Sequence, residues 1–323
     1  MRRPTLTALL LAAATLVLGG LPSVASARER PVNTGTPGSV CRASYPGGAT
    51  DPALDSTILG ALPAAYEVGA PAGGGDVQRV MIVVHGGGWY RVGPGMLDAD
   101  RAAAAAWRGA GWETVNTSYR ACRHSLGDLL ALYDAVRAQV GPAVPICLRG
   151  ESAGGQLALM VAAERPDVAC VIAEAAPTDL FTIRAQGVAD GLTQAPPLVF
   201  GYARAAFGRR RLRAVSPVLN VAGVAARVLL AQAADDPVIP AQQQQELADV
   251  LRAARPSASV DVDLLPAGDK VFVHGTTSAA GLSELDGRVA ALVAPFGSAP
   301  VSAPPKPAPL RLPSLLQQLL KLL

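Results

Sequence analysis

One serine in this sequence stands among small residues in a way that could make it a nucleophile. Gly150-Glu151-Ser152-Ala153-Gly154-Gly155 follows a short apolar run, Val144 to Leu148, and precedes an Ala/Leu-rich helical pattern, Gln156 to Glu164. A strand that turns sharply into a helix holds its tip residue in a strained conformation and exposes the serine oxygen. Small residues two positions to either side let the two arms pass closely. The helix points its free N–H groups at the tip, where negative charge would develop. A Gly-x-Ser-x-Gly run also arises as an ordinary turn in a Gly-rich chain, so this reading needs partners elsewhere.

An activated serine needs a base, and the base needs an orienting acid. The chain has three histidines. His85 is tied to a glycine run, and His124 precedes a helical pattern and reads as structural. His274, in Val271-Phe272-Val273-His274-Gly275, falls in the loop expected between the last strand and the last helix, and is the candidate base. The alternative is a histidine on a surface loop. For the acid, Asp235 and Asp236 lie just past the apolar run Leu229 to Ala231. Asp236 is preferred, because Pro237 keeps the residue before it extended. A polar turn before a helix is the plainer reading of both. His85-Gly86-Gly87-Gly88 supplies a remaining part: glycines let backbone approach a carbonyl oxygen and aim N–H groups at it. Gly86 and Gly87, with the N–H of Ala153, are the expected oxyanion hole. A phosphate loop would want Lys and Ser/Thr after the glycines, but Trp89-Tyr90-Arg91 follows.

These residues have to be positioned by a scaffold. Val80-Met81-Ile82-Val83-Val84 has no polar break, as suits a strand buried on both faces. Further strands are expected at Ala64 to Val68, Trp112 to Asn116, Val144 to Leu148, Val168 to Ala173, Arg227 to Ala231 and Val260 to Leu264. Between them fall helical patterns at Leu97 to Arg108, after Ser125 as a cap, at Gln156 to Glu164, at Ala241 to Ala254 and at Ala279 to Ala294. Alternation of this kind predicts an α/β fold with one mostly parallel, helix-flanked sheet. The rhythm breaks between Pro177 and Val224, which is long for a connection and reads as a small cap or lid insertion. It contains Arg209-Arg210-Arg211-Leu212-Arg213, either a solvated basic face or a surface for an acidic partner or substrate.

The 323 residues are half hydrophobic, much of that alanine, with a net charge of +3. That charge argues against a nucleic-acid binder. Arg2, Arg3, an uncharged apolar run from Leu6 to about Leu21, and Ala25-Ser26-Ala27 read as a signal peptide over residues 1–27. An uncleaved anchor is the alternative, for which the run is short. The expected localisation is therefore secreted, extracellular or in the cell envelope. Cys41, Cys122, Cys147 and Cys170 are an even number in such a chain. Their spacings are too wide for a zinc site and lack histidine partners. Cys147 and Cys170 begin two strands expected to be neighbours, so the expected pairs are Cys41–Cys122 and Cys147–Cys170, with buried free thiols as the alternative. A catalytic domain is expected over residues 28–296. From Gly297 a Pro/Ala-rich linker leads to Ser314–Leu323, where Leu316, Leu319, Leu320 and Leu323 share a helical face. That tail could dock on the domain, contact a partner or rest weakly on a membrane surface.

The sequence resembles the α/β-hydrolase superfamily, near the hormone-sensitive-lipase-like and carboxylesterase groups. The matching residues are His85-Gly86-Gly87-Gly88-Trp89, Ser118-Tyr119-Arg120, Gly150 to Gly155, Asp236-Pro237-Val238-Ile239-Pro240 and His274-Gly275, within residues 64 to 296. The order Ser152, Asp236, His274 is that of the superfamily. The resemblance implies a serine esterase needing neither metal nor cofactor and acting on a small-molecule or lipid-like ester. Two departures bear on the subgroup. Glu151 stands where the lipase-like group usually has Asp, and the usual N-terminal cap is not visible. A peptidase or amidase with the same three residues is a second reading, ranked lower because no propeller or large cap domain is present. A non-catalytic binding protein on a hydrolase scaffold is the third.

Overall fold

The structure, a computed structural model, describes residues 40–41, 59–60, 62–192 and 195–300. The expected signal peptide and the amphipathic tail after residue 300 lie outside the described residues.

Seven strands form one sheet: β1 (Tyr66–Gly69), β2 (Val80–Val84), β3 (Glu113–Thr117), β4 (Ile146–Glu151), β5 (Cys170–Glu174), β6 (Arg227–Ala233) and β7 (Val260–Leu265). Their spatial order is β1-β3-β2-β4-β5-β6-β7. Only β1 is antiparallel, pairing Tyr66 with Thr117 at the sheet edge; the rest are parallel. This is the α/β-hydrolase fold, with the sheet covered on both faces. Along β2 every residue is buried, so successive side chains serve opposite faces. Ile82, Leu148, Val171 and Leu230 face one side, packed with Leu129 of α2 (Ser125–Val140), Leu157 of α3 (Ala153–Glu164) and Leu247 of α6 (Gln242–Ala254). Met81, Ile172 and Leu229 face the other, against Trp107 of α1 (Pro94–Gly109) and Leu285 and Leu292 of α7 (Ala279–Val293).

Local chemistry sets several boundaries. Pro sits at the first position of α1, where its missing N–H costs nothing. The Ser278 hydroxyl accepts from the Gly281 N–H, 3.1 Å, and starts α7. Ser125 is not a cap: it is the first residue inside α2, and its hydroxyl donates to the Cys122 carbonyl at 2.8 Å. The expected insertion contains α4 (Ile183–Ala189), α5 (Ala195–Phe207) and short 3-10 turns, with no strand among its described residues. His274 does not sit in a plain loop. It occupies the turn of an antiparallel hairpin, β8 (Lys270–Phe272) with β9 (Gly275–Thr277). That turn has Val273 at φ 40°, a conformation β-branched residues resist.

Both disulfides form as the sequence suggests. Cys147 and Cys170 are cross-strand partners in β4 and β5, their Cα atoms 4.6 Å apart. Cys41 and Cys122, 81 residues apart in sequence, have Cα atoms 5.3 Å apart.

Candidate active site

Ser152 lies between β4 and α3 with φ 51° and ψ −121°. For a residue with a Cβ this is a strained conformation, and it persists only where its surroundings over-determine it. Here they do. The Ser152 N–H donates to the Glu174 carbonyl at the end of β5, 2.7 Å. Gly154 has no room for a side chain: a Cβ there would run into the carbonyl oxygens of Val84 and His85 at the end of β2. A Cβ on Gly150 would lie 2.5 Å from the Gly154 carbonyl group. The glycines are therefore required by the close passage of strand, elbow and helix.

The two aspartates past β6 divide the work. Asp236 Oδ1 accepts the N–H groups of Val238, 2.8 Å, and Ile239, 3.1 Å, which fixes the carboxylate. Its Oδ2 lies 3.1 Å from His274 Nδ1. A carboxylate only accepts, so Nδ1 carries the proton and Nε2 keeps a lone pair. The Asp236 side chain is 1% exposed and that of His274 is 19% exposed, so the carboxylate is sealed and the ring is reachable. Asp235 instead holds the His274 hairpin. Its Oδ1 accepts the Thr276 N–H at 2.7 Å and its Oδ2 the Thr276 hydroxyl at 2.5 Å. Burial pulls the Asp235 carboxyl upward, but these bonds outweigh it and hold it below the usual range. Among the described residues no hydrogen bond joins Ser152 to His274. Ser152 follows β4 and Asp236 follows β6, both at the C-terminal edge of the parallel sheet.

The other two histidines are accounted for. His85 is fully buried, with Nδ1 2.6 Å from the Gly86 carbonyl and Nε2 2.9 Å from Ser118 Oγ. Since a carbonyl accepts, Nδ1–H donates to it and Nε2 accepts from the Ser118 hydroxyl. That hydroxyl also accepts the Gly93 N–H at 3.1 Å. Burial lowers the His85 pKa to about 4, so the ring is neutral and has no free nitrogen. His124 Nε2 lies 3.4 Å from Arg123 Nε at the start of α2.

His85 acts by holding the glycine loop. The Tyr119 hydroxyl stands 3.2 Å from the His85 carbonyl and 3.0 Å from the Gly86 carbonyl, and the two rings stack at 4.5 Å. Both carbonyls are thus turned toward Tyr119. In a trans peptide the N–H points the opposite way, so the N–H groups of Gly86 and Gly87 are turned from it. Neither donates to a backbone acceptor among the described residues. A Cβ on Gly86 would be 3.3 Å from Ser152 Cβ, so this loop lies against the elbow. The Ala153 N–H opens α3 and has no intrahelical acceptor.

The supports of the elbow carry no local sequence signal. Gln156, fully buried in α3, accepts from Trp89 Nε1 and donates to the Val215 carbonyl, both at 2.7 Å. It joins the glycine loop to the insertion. Glu151 lines a cavity of about 210 Å³ between α1 and α7, together with Arg149 and Glu174. Arg149 and Glu174 pair at 2.9 Å. No local spacing announces these contacts, which join residues 25 to 67 positions apart.

No curated protein matches the chain at a significant level. Among solved structures it is similar to a bacterial heroin esterase, with 20% identity, a TM-score of 0.56, and coverage of 72% of this chain and 79% of that one. A hormone-sensitive lipase from a metagenome library is 21% identical at TM-score 0.53, covering 70% and 81%. A puromycin-hydrolyzing peptidase of Mycobacterium tuberculosis is 20% identical at TM-score 0.54. It covers 75% of this chain, which spans 37% of that longer protein. These likenesses bear on the fold. Residues 106–271 match the prolyl oligopeptidase family, a stretch of just over half the chain that takes in the elbow and Asp236, and the chain belongs to that family.

Proposed function

We propose that the protein is an exported serine hydrolase that cleaves carboxylic esters through an acyl-enzyme. The observation that carries this reading is Ser152, held with positive φ at the strand–helix tip with the glycine loop against it, where a Cβ on Gly86 would lie 3.3 Å from Ser152 Cβ. In the proposed cycle Ser152 Oγ attacks the ester carbonyl and gives its proton to His274 Nε2. Asp236 orients the ring and stabilises the imidazolium. The N–H groups of Gly86, Gly87 and Ala153 receive the oxyanion, each such donor contributing about 2.7–4 kcal/mol to lowering the barrier. His274 returns the proton to the leaving alcohol, then activates the water that releases the acid. Family membership, the similarity to esterases and two disulfides, which suit an oxidising compartment, support this reading.

Purified protein should hydrolyse short-chain p-nitrophenyl esters, and Ser152→Ala should lower kcat by roughly 10⁵-fold or more. Equal hydrolysis by the two proteins would overturn the assignment. A fluorophosphonate probe should label the wild type and not Ser152→Ala. A peptidase reading with the same residues is favoured by the family match and by the similarity to the puromycin-hydrolyzing peptidase. Turnover of amide analogues at rates near those of the esters would put it first.

A further inference from the structure

The insertion between β5 and β6 differs from the rest of the chain in charge. Over residues 177–224 it carries six arginines against two aspartates, a net of four positive charges, while the rest of the chain sums to one negative. Elsewhere Arg101, Arg120, Arg137, Arg149, Arg165 and Arg288 each pair with a carboxylate. In the insertion Arg184, Arg204, Arg209, Arg210, Arg211 and Arg213 are all exposed, and none pairs with a carboxylate among the described residues. Of the insertion's two acids, Asp179 is occupied by the N–H groups of Phe181 and Thr182. A folded surface that sought only solubility would intersperse the signs.

Apolar exposure follows the same boundary. Six large hydrophobic residues are exposed among the described residues, and four of them are here: Phe181 at 42%, Val188 at 58%, Leu198 at 55% and Leu219 at 52%. Val188 lies on α4 and Leu198 on α5, two helices that pack on each other. The Arg213 guanidinium stands 4.9 Å over the Phe181 ring, so cation and apolar surface share one place. The insertion also reaches the glycine loop: the Tyr202 ring lies 5.1 Å from Tyr90, and Gln156 ties Val215 to Trp89.

We propose that this insertion docks the enzyme on an anionic lipid surface, with its arginines on the headgroups and Val188 and Leu198 entering the acyl boundary. Exposed cations and exposed apolar residues concentrated in one insertion, and in contact where Arg213 covers Phe181, match the two components of interfacial binding, charge and apolar burial. A soluble acidic partner would use the arginines but leave the leucine and valine in water. As to purpose, the proposal rests on the ester-hydrolase reading, since docking by the insertion presents lipid-like esters to the site beneath it. Its test does not need that reading.

The test uses the mature chain carrying Ser152→Ala, so that turnover plays no part. It is sedimented with vesicles of phosphatidylcholine alone, or with a third of the lipid replaced by phosphatidylglycerol. The expected result at 0.1 M salt is at least tenfold stronger partitioning to the anionic vesicles, falling at least tenfold at 0.5 M salt. The triple variant Arg209→Ala, Arg210→Ala, Arg211→Ala should lose most of that binding. Val188→Ser with Leu198→Ser should weaken it several-fold while leaving its salt dependence. Equal partitioning to both vesicles, or a triple variant that binds like its parent, overturns the proposal. So does loss confined to the KM of a soluble anionic ester, which would mark the arginines as a site for acidic soluble substrates. With Ser152 restored, the triple variant should hydrolyse a soluble neutral ester at the wild-type rate. Failure of the esterase reading would appear there, in the parent enzyme, independently of the vesicles.

Discussion

At the scale of single residues, adjacent aspartates illustrate how little sequence distance says about role. Asp236 bonds the His274 ring, and Asp235 bonds the backbone and hydroxyl of Thr276, two residues further along the hairpin. Asp236→Asn should therefore lower kcat on esters by about 10⁴-fold, because the ring loses its tautomer and its stabilised charge. Asp235→Ala should lower kcat about tenfold with KM little changed, since the base is misplaced and not disabled. A fall as deep as that of Asp236→Asn, read from steady-state kinetics, would exchange the two roles. His85 makes a second case, in stability. Its folded pKa is about 4 against an ordinary 6.5, so between these values the unfolded chain binds the proton and the folded chain does not. Stability is then full above about pH 6.5 and is lost as pH falls toward 4, by up to roughly 3 kcal/mol. Asp263 acts oppositely. Burial raises it to about 6 in spite of Arg288, so its contribution grows on acidification over an overlapping window. Urea midpoints taken from pH 7 to 4.5 should fall more steeply for Asp263→Asn than for wild type.

At the scale of elements, the elbow depends on helix α3 passing the end of β2 with no side chain between them. Gly154→Ala places a methyl group against the backbone oxygens of Val84 and His85, neither of which has a flexible end that could yield. A loss of about 1–3 kcal/mol is expected by denaturant titration, together with reduced labelling of Ser152. Gly109, exposed space at the end of α1, should accept alanine without loss and serves as the control. The elements that were legible in the sequence are those whose signal is local. The buried run Val80–Val84, the small residues around Ser152 and the periodic leucines of α6 each announce themselves within a few positions. In the sequence the hairpin carrying His274 reads as a loop, because its strands have three residues each, too short to show alternation. Gln156 read as a polar residue early in a helix, and its bonds to Trp89 and Val215 exist only once three distant segments meet. Asp235 and Asp236 were separable only in part, since Pro237 speaks to backbone and not to partners. The local signals thus point to candidate reacting groups, and the groups that hold them come from tertiary contact.

At the scale of the whole molecule, the two disulfides close loops of very different length and should differ in consequence. Cys147–Cys170 joins register partners in two central strands that the sheet already holds together, across 23 residues. Cys41–Cys122 spans 81 residues and ties the segment before β1 to the turn that follows β3. Loop-closure entropy alone assigns about 3.4 kcal/mol to the shorter loop and about 4.5 kcal/mol to the longer. Function should separate them further. Cys122 has φ 67°, and its N–H donates to the Trp89 carbonyl at 2.7 Å, directly behind the glycine loop. Trp89 in turn holds Gln156 in the first turn of α3, behind Ser152. Cys41→Ala with Cys122→Ala should therefore lower both stability and kcat, because the bond from Cys122 to Trp89 loses its anchor. Cys147→Ala with Cys170→Ala should lower stability with kcat nearly intact at temperatures where the chain remains folded, since that bridge lies in the sheet away from the elbow tip. The comparison needs denaturant midpoints and ester turnover for both double variants, and a thiol count on the unfolded wild type that finds none. Turnover left intact in Cys41→Ala with Cys122→Ala would mean that the N-terminal tether has no influence on the glycine loop, and that the elbow and its hydrogen-bonded supports position it unaided.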